Sequence, residues 1–312
     1  MKHLLSILDL TKSELLEILQ LAEKLKKERY KDVVTDYLKN KSLAMIFELP
    51  STRTRISFEV AMSDLGGHAL YLSWKDLQLS RGELIKDTAR VISRYVHAVV
   101  MRVRKHKTLE EFAKYSSVPV INGLSDLEHP CQAIADLLTI KEYKGELEDV
   151  KITWVGDGNN VCNSLILAAT LMGMKITVST PAGYEPPEEI LRKAREFEGE
   201  VKLESNPAKA VKDADVIYTD VWVSMGQEHE EEKRLKDFSS YQVNQKLVDL
   251  ARDDVIVMHC LPAHRGKEIT EDVLEGASSV VFDQAENRLH AQKAILLELI
   301  TPEKAKELLE VF

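Results

Sequence analysis

Six short segments of the sequence hold residue types that can do chemistry. The first is Ser51-Thr52-Arg53-Thr54-Arg55, preceded by Pro50. Ser51 or Thr52 can cap a helix. The first turn of that helix offers N–H groups and a partial positive charge, which suits a phosphate. Arginine adds two parallel bonds to an oxyanion. Residues two apart on a helix point to different sides, so Arg53 and Arg55 do not share a ligand. Arg53 is the phosphate candidate, and Arg55 braces the fold. Read for local structure alone, the segment is a cap followed by two surface arginines.

Arg102 closes a strand-like run over 98–103, with Arg104 after it. A cation at the carboxyl end of a parallel strand stands where ligands bind in open α/β sheets. His129-Pro130-Cys131-Gln132 lies between a strand pattern and a helix pattern. Its imidazole and amide can both donate to a carbonyl oxygen. Gly156-Asp157-Gly158-Asn159-Asn160 follows another strand pattern, but Val161 stands where a dinucleotide fingerprint has its third glycine. The next strand ends in Ser179-Thr180-Pro181, without an acid for a ribose. A turn that presents an asparagine to a ligand is therefore preferred to a nicotinamide site.

Asp220-Val221-Trp222-Val223-Ser224-Met225-Gly226 offers a carboxylate for an ammonium group and a loop with further hydrogen bonds. The plain reading is a surface loop. His259-Cys260-Leu261-Pro262 puts a thiol at a strand end, as a nucleophile, a polarising neighbour or simple packing. The His and Cys residues raise the question of zinc. Their spacing lacks the usual C-x-x-C pair, so no metal is expected.

The elements that must position these groups alternate. Strand patterns fall at 42–47, 69–72, 98–103, 118–121, 151–155, 175–178, 216–219, 255–259 and 279–282. Helical patterns fall at 53–65, 131–143, 161–172, 188–198, 244–251 and about 287–300. Near the N-terminus, Thr11 and Glu14 form a capping box and Leu10 and Leu15 a staple. Leu15, Ile18, Leu19, Ala22 and Leu25 then follow at helical spacing. Such alternation predicts an α/β protein with two doubly wound parallel-sheet domains of similar size. The hydrophilic stretch 142–149 is the boundary between them.

Composition narrows the function classes. The 312 residues carry 42 Lys+Arg against 51 Asp+Glu, a net charge of −9. That balance argues against a general nucleic-acid binder. Any anionic ligand must be held by a local arrangement. Three cysteines cannot build a disulfide framework, which fits a reducing cytoplasm. Residues 1–10 are too short an apolar stretch for a signal peptide and are broken by Asp9. The most apolar helical stretch, 165–174, falls short of the roughly 20 residues that span a bilayer.

Taken in order, the six segments resemble the aspartate/ornithine carbamoyltransferase family over nearly the whole chain, and within it the members that use ornithine. The resemblance implies that residues 1–140 with 290–312 bind carbamoyl phosphate and that 141–289 bind ornithine. The C-terminal helix would cross back to the first domain. The implied carbamoyl-phosphate ligands are Ser51, Thr52, Arg53, Thr54, Arg102, His129, Gln132, Cys260, Leu261 and Arg288, with Gln78 reaching a neighbouring subunit's site. The implied ornithine ligands are Asn160, Asp220, Ser224 and Met225, and the implied catalytic groups are Arg102, His129, Asp220 and Cys260.

The implied reaction moves a carbamoyl group to the side-chain amine of ornithine, giving citrulline and phosphate, as in arginine biosynthesis. It uses no cofactor and no metal, and Cys260 orients rather than attacks. The family pattern adds self-association as a trimer or a multiple of trimers, with no nucleic acid and no membrane. One departure is visible: the residue before Pro50 is often Lys in the family and is Leu49 here. The rival readings are a carbamoyltransferase for putrescine, aspartate or a modified ornithine, and a non-catalytic anion-binding regulatory protein.

Overall fold

Each run of strand–helix alternation closes one parallel sheet. The computed structural model describes residues 2–224 and 226–310, apart from the side chain of Glu228. The first sheet holds β1 (Ser42–Phe47), β2 (His68–Ser73), β3 (Ala98–Arg102) and β4 (Val120–Leu124), in the order β2-β1-β3-β4. The second holds β5 (Lys151–Val155), β6 (Lys175–Ser179), β7 (Glu200–Leu203), β8 (Val216–Thr219) and β9 (Ile256–His259), in the order β7-β6-β5-β8-β9. All pairings within both sheets are parallel. This is the doubly wound α/β class expected from the sequence.

The chain divides into two units. One runs up to Leu138 and takes in the chain from Glu286 onward; the other is Thr139–Ala285. In the first, Ala44, Ile46, Val99, Met101 and Phe112 form part of a buried core. In the second, Val155, Ile217, Val257, Phe238 and Trp222 do the same. Central strands such as β3 are buried at every residue, which is why they read as continuous apolar runs rather than alternating ones.

The N-terminal helix, Lys12–Tyr30, starts as its sequence dictates. Thr11 accepts from the Glu14 N–H at 3.2 Å, and Glu14 accepts from the Thr11 N–H at 2.8 Å. The C-terminal chain returns to this helix: Lys24 donates to the Leu308 carbonyl at 2.8 Å. Lys293 pairs with Asp64 at 2.6 Å in the same unit. Among the described residues, no helix is long and apolar enough to cross a membrane.

Several sequence expectations change. Residues 279–282 form no strand: Ser279 makes one isolated bridge to Val257, and a helix runs over Val281–Ile300. Val280 immediately precedes that helix and Val281 opens it, and both are buried, while Phe282 is exposed. Conversely, β7 was not visible, because this edge strand is largely exposed and half its residues are charged. The helical patterns at 188–198 and 244–251 shorten to Glu188–Ala194 and Gln245–Val248. Helices Ile85–Ile92, His106–Tyr115, Glu231–Asp237 and Pro302–Glu310 add to those expected.

Candidate active site

In each sheet the strand order reverses at one place, between β1 and β3 and between β5 and β8. Such a switch point opens a crevice at the carboxyl ends of the strands. Four of the six segments with chemistry lie there. Ser51-Thr52-Arg53 follows β1, and Arg102 is the last residue of β3, paired with Phe47. Gly156 to Asn160 follow β5, and Asp220 follows β8.

In the first unit, Ser51 is the residue that caps the helix Thr52–Asp64. Its Oγ accepts the Thr54 N–H at 3.2 Å, a bond worth about 1 kcal/mol to the helix. Thr52 is exposed in the first turn and Arg53 is half-buried. Arg55 points elsewhere: its guanidinium lies 3.9 Å from the Tyr71 ring centroid and bonds Glu59 at 3.1 Å. Arg104 likewise pairs with Glu48 at 3.3 Å. Leu49 is 7% exposed, so the departure from lysine is absorbed as packing.

Thr54, Gln132 and Arg288 are joined although far apart in sequence. Arg288 Nη1 donates to Gln132 Oε1 at 2.7 Å, and Nη2 donates to Thr54 Oγ1 at 3.1 Å. Gln132 Nε2 in turn donates to Asp136 Oδ1 at 2.9 Å. All four side chains are buried. His129 is buried beside them, and its pKa is held well below the ordinary histidine value. Burial is the largest cause, and the positive charges of Arg288, Arg102 and Arg53 follow. The imidazole is therefore neutral at physiological pH, inside a cationic group suited to an anion. Cys131 is buried, its Sγ 3.4 Å from the Asn122 carbonyl, and burial pushes its thiol up to about 12. Gln78 is exposed in the single turn Gln78–Arg81.

In the second unit, Asp220 is 6% exposed, which removes the surface-loop reading for that residue. It accepts from Asn159 Nδ2 at 2.7 Å and from the Val221 N–H at 2.8 Å. Asn159 also caps the helix Asn160–Leu171 by accepting from Val161 and Cys162. Asn160, the residue expected to meet ornithine, is half-buried in the first turn. Asp157 binds the buried Arg234 at 3.0 Å. Burial outweighs that cation and pushes the Asp157 pKa up to about 6. Arg234 also donates to the Trp222 carbonyl at 3.0 Å and to Glu230 at 3.0 Å. It thereby ties down the loop that follows Asp220. Within that loop, Ser224 N donates to Gln227 Oε1 at 2.9 Å. Met225 lies outside the described residues.

Thr219 of β8 faces His259 of β9, which brings the next residues together. Ligand atoms of Asp220, His259 and Cys260 all lie within 4.8 Å of one another. Both ring nitrogens of His259 are engaged, however. Nε2 meets Glu268 Oε1 at 3.0 Å, and Nδ1 accepts the Leu261 N–H at 2.9 Å. A metal there would have to displace one of these bonds. Glu268 also accepts the His264 N–H at 2.6 Å. This scaffold turns the chain sharply, with Leu261 at φ 58°, and leaves Cys260 half-exposed.

Asn159, Asp157, Arg234, Asp136 and Glu268 were not singled out as site residues. The first two sit in a segment the sequence marked. Arg234 is one charge among many in a run of acids and lysines, and no local pattern separates it.

Comparison with known proteins agrees with this layout. Residues 2–142 match the carbamoyl-P binding domain model of aspartate/ornithine carbamoyltransferase, and residues 148–299 match its Asp/Orn binding domain. The chain is 72% identical to an ornithine carbamoyltransferase of Archaeoglobus fulgidus, over 97% of this chain and 99% of that one. It resembles the solved ornithine carbamoyltransferase of Pyrococcus furiosus with a TM-score of 0.93 at 56% identity, covering 96% and 97% of the two chains. The Thermus thermophilus enzyme matches with a TM-score of 0.89 at 46% identity, covering 96% and 99%.

Proposed function

The chain belongs to the aspartate/ornithine carbamoyltransferase family, and from that premise we propose how its two half-sites carry out carbamoyl transfer from carbamoyl phosphate to L-ornithine. It is a transferase. The products are L-citrulline and phosphate, as in arginine biosynthesis. The observation that supports the reading best is the cationic group around a neutral, buried His129, matched in the other unit by a buried Asp220 beside a half-exposed Cys260.

Ser51, Thr52, Arg53 and Thr54 bind the phosphate end through the helix start and the guanidinium. Arg102 spans the phosphate and the carbamoyl oxygen. His129 and Gln132 hold the carbamoyl group, and Arg288 orients Gln132 and Thr54. Asn160 and Ser224, with Met225, bind the amino-acid end of ornithine, and Asp220 holds its side-chain nitrogen.

That nitrogen must be the neutral amine, because an ammonium has no lone pair. It attacks the carbamoyl carbon, the N–C bond forms, and the C–O bond to phosphate breaks. One proton leaves the nitrogen and is taken up by the departing phosphate. Charge grows on the carbamoyl oxygen and the departing phosphate, where Arg53, Arg102 and His129 stabilise it. Cys260 and Leu261 line the reacting centre; Cys260 orients the amine and forms no bond to the substrate.

The same resemblance suggests a trimer. Ile56, Leu70 and Leu84, on the Thr52–Asp64 helix, β2 and the turn before Ile85, are large apolar side chains left exposed. Gln78 precedes that turn and would reach a neighbour's site. Free thiols at all three cysteines fit a cytoplasmic setting. Carbamoyl phosphate supplied with ornithine, putrescine or aspartate in parallel tests the reading. Citrulline should form fastest; carbamoylputrescine forming as fast would overturn the choice of ornithine.

A further inference from the structure

Two sets of hydrogen bonds meet on Glu128, the residue immediately before His129. Its carboxylate takes the Ser6 hydroxyl on one oxygen and the Ile7 N–H at 3.1 Å on the other. Its backbone carbonyl accepts three donors: Ser125 N at 3.0 Å, Ser125 Oγ at 3.3 Å and Asn122 Nδ2 at 3.3 Å. The side chain is 1% exposed. One residue is thus held both through its main chain and through its side chain.

The segment that supplies Ser6 and Ile7 is itself well anchored. Leu4 pairs with Ile121 of β4, its N–H on the Val120 carbonyl at 2.9 Å and its carbonyl on the Asn122 N–H at 2.8 Å. Asn122 Nδ2 also donates to the Leu5 carbonyl at 2.8 Å. Ser6 and Asp9 then close a capping box around the single turn Ile7–Asp9. Asn122 bonds both the N-terminal segment and the Glu128 carbonyl, so the strand, the segment and the turn before His129 form one network.

A buried carboxylate is a costly way to hold residues 4–9 in place, since apolar packing would serve. Its value lies in the next residue. Pinning residue 128 from both sides fixes the backbone from which His129 departs and from which the helix Pro130–Lys144, carrying Gln132, begins. We propose that Glu128 is a positioning residue for His129, and that residues 4–9 are a structural part of the carbamoyl-phosphate half-site. The proposal rests on reading His129 as a ligand of the carbamoyl group.

Glu128→Gln keeps the volume and removes the charge, and Ser6→Ala removes one donor to the carboxylate together with the cap acceptor for the Leu8 N–H, leaving the carboxylate and the Ile7 N–H present. With His129→Asn as the reference, kinetics for both substrates would be measured alongside the imidazole nitrogen signals of ¹⁵N-histidine-labelled protein. Glu128→Gln should shift the His129 signals and lower kcat/KM for carbamoyl phosphate on the order of tenfold to a hundredfold. The KM for ornithine should stay unchanged. Ser6→Ala should move the same quantities less, and it carries the test if Glu128→Gln does not fold. Wild-type kinetics and unmoved His129 signals in these variants, with His129→Asn inactive, would overturn the positioning role alone. A fully active His129→Asn would instead overturn the half-site reading, and this proposal with it.

Discussion

Arg288 Nη1 donates to Gln132 Oε1 across 2.7 Å, joining two buried residues 156 positions apart in the chain. The same guanidinium reaches Thr54. A planar fork makes both bonds at once, and a lysine ammonium is a single point on a flexible stem. Arg288→Lys should therefore lower kcat/KM for carbamoyl phosphate about tenfold to a hundredfold, the scale of one or two hydrogen bonds to a charged group. Steady-state rates with saturating ornithine would show it, and wild-type values would remove Arg288 from the site.

Arg53 is half-buried in the first turn of a helix whose cap is Ser51. Arg53→Ala removes the guanidinium and leaves the cap bond intact. Turnover should vanish while the circular dichroism and the thermal midpoint stay close to wild type. An active variant would refute the phosphate role.

Asp157 is pushed up to about 6 by burial and is paired with Arg234. Above that pH it is ionised and Arg234 holds the Trp222 carbonyl firmly. As the pH falls through about 6 the carboxyl neutralises, so the KM for ornithine should rise. Asp157→Asn should show the raised KM throughout and lose that pH dependence. Stability runs the other way. The unfolded carboxyl ionises near about 4, so stability is highest below that value and declines as the pH rises towards 6. Asp157→Asn should thus be no less stable than wild type near neutrality. A variant with wild-type ornithine kinetics at every pH would sink the assignment.

His290 is fully buried, lies 3.0 Å from Glu286, and titrates at about 4, chiefly through burial. An unfolded histidine takes its proton near about 6.5. The folded chain resists protonation between those values, so the stabilisation is present above 6.5 and lost as the pH falls to about 4. The difference corresponds to about 3 kcal/mol. Urea unfolding at several pH values should show a smaller acid loss for His290→Asn than for wild type. Equal acid losses would contradict it.

Cys131 and Cys162 are buried, and burial raises both thiols far above neutrality. Cys260 is half-exposed. A thiol reagent should label one cysteine per native chain, and ornithine should protect it. Cys260→Ala should retain measurable turnover, because an orienting thiol is not a covalent nucleophile. Complete loss of activity in a folded variant would argue for the nucleophile.

The two sheets were legible because parallel strands buried on both faces read as apolar runs between amphipathic helices, as β1, β5 and β8 do without a shift of boundary. Ser51, Arg102 and Asp220 stand out in the sequence because they lie at the carboxyl ends of β1, β3 and β8, beside the places where the strand order reverses, and His129 because it precedes the helix after β4. Asn159 was overshadowed by Asn160: choosing between adjacent asparagines requires knowing which one caps the helix. Arg234 and Glu268 act across gaps in sequence that only the folded chain closes. The 279–282 run misled because β-branched residues can begin a buried helix as readily as a strand when neighbouring elements cover them.

A buried imidazole that stays uncharged cannot be switched by modest acidification. On the proposed reading, His129 therefore does not make carbamoyl binding sensitive to modest acidification. Acid sensitivity enters through other groups, the substrate amine and Asp157 among them. Acidification then lowers the share of neutral, reactive amine while this imidazole stays uncharged.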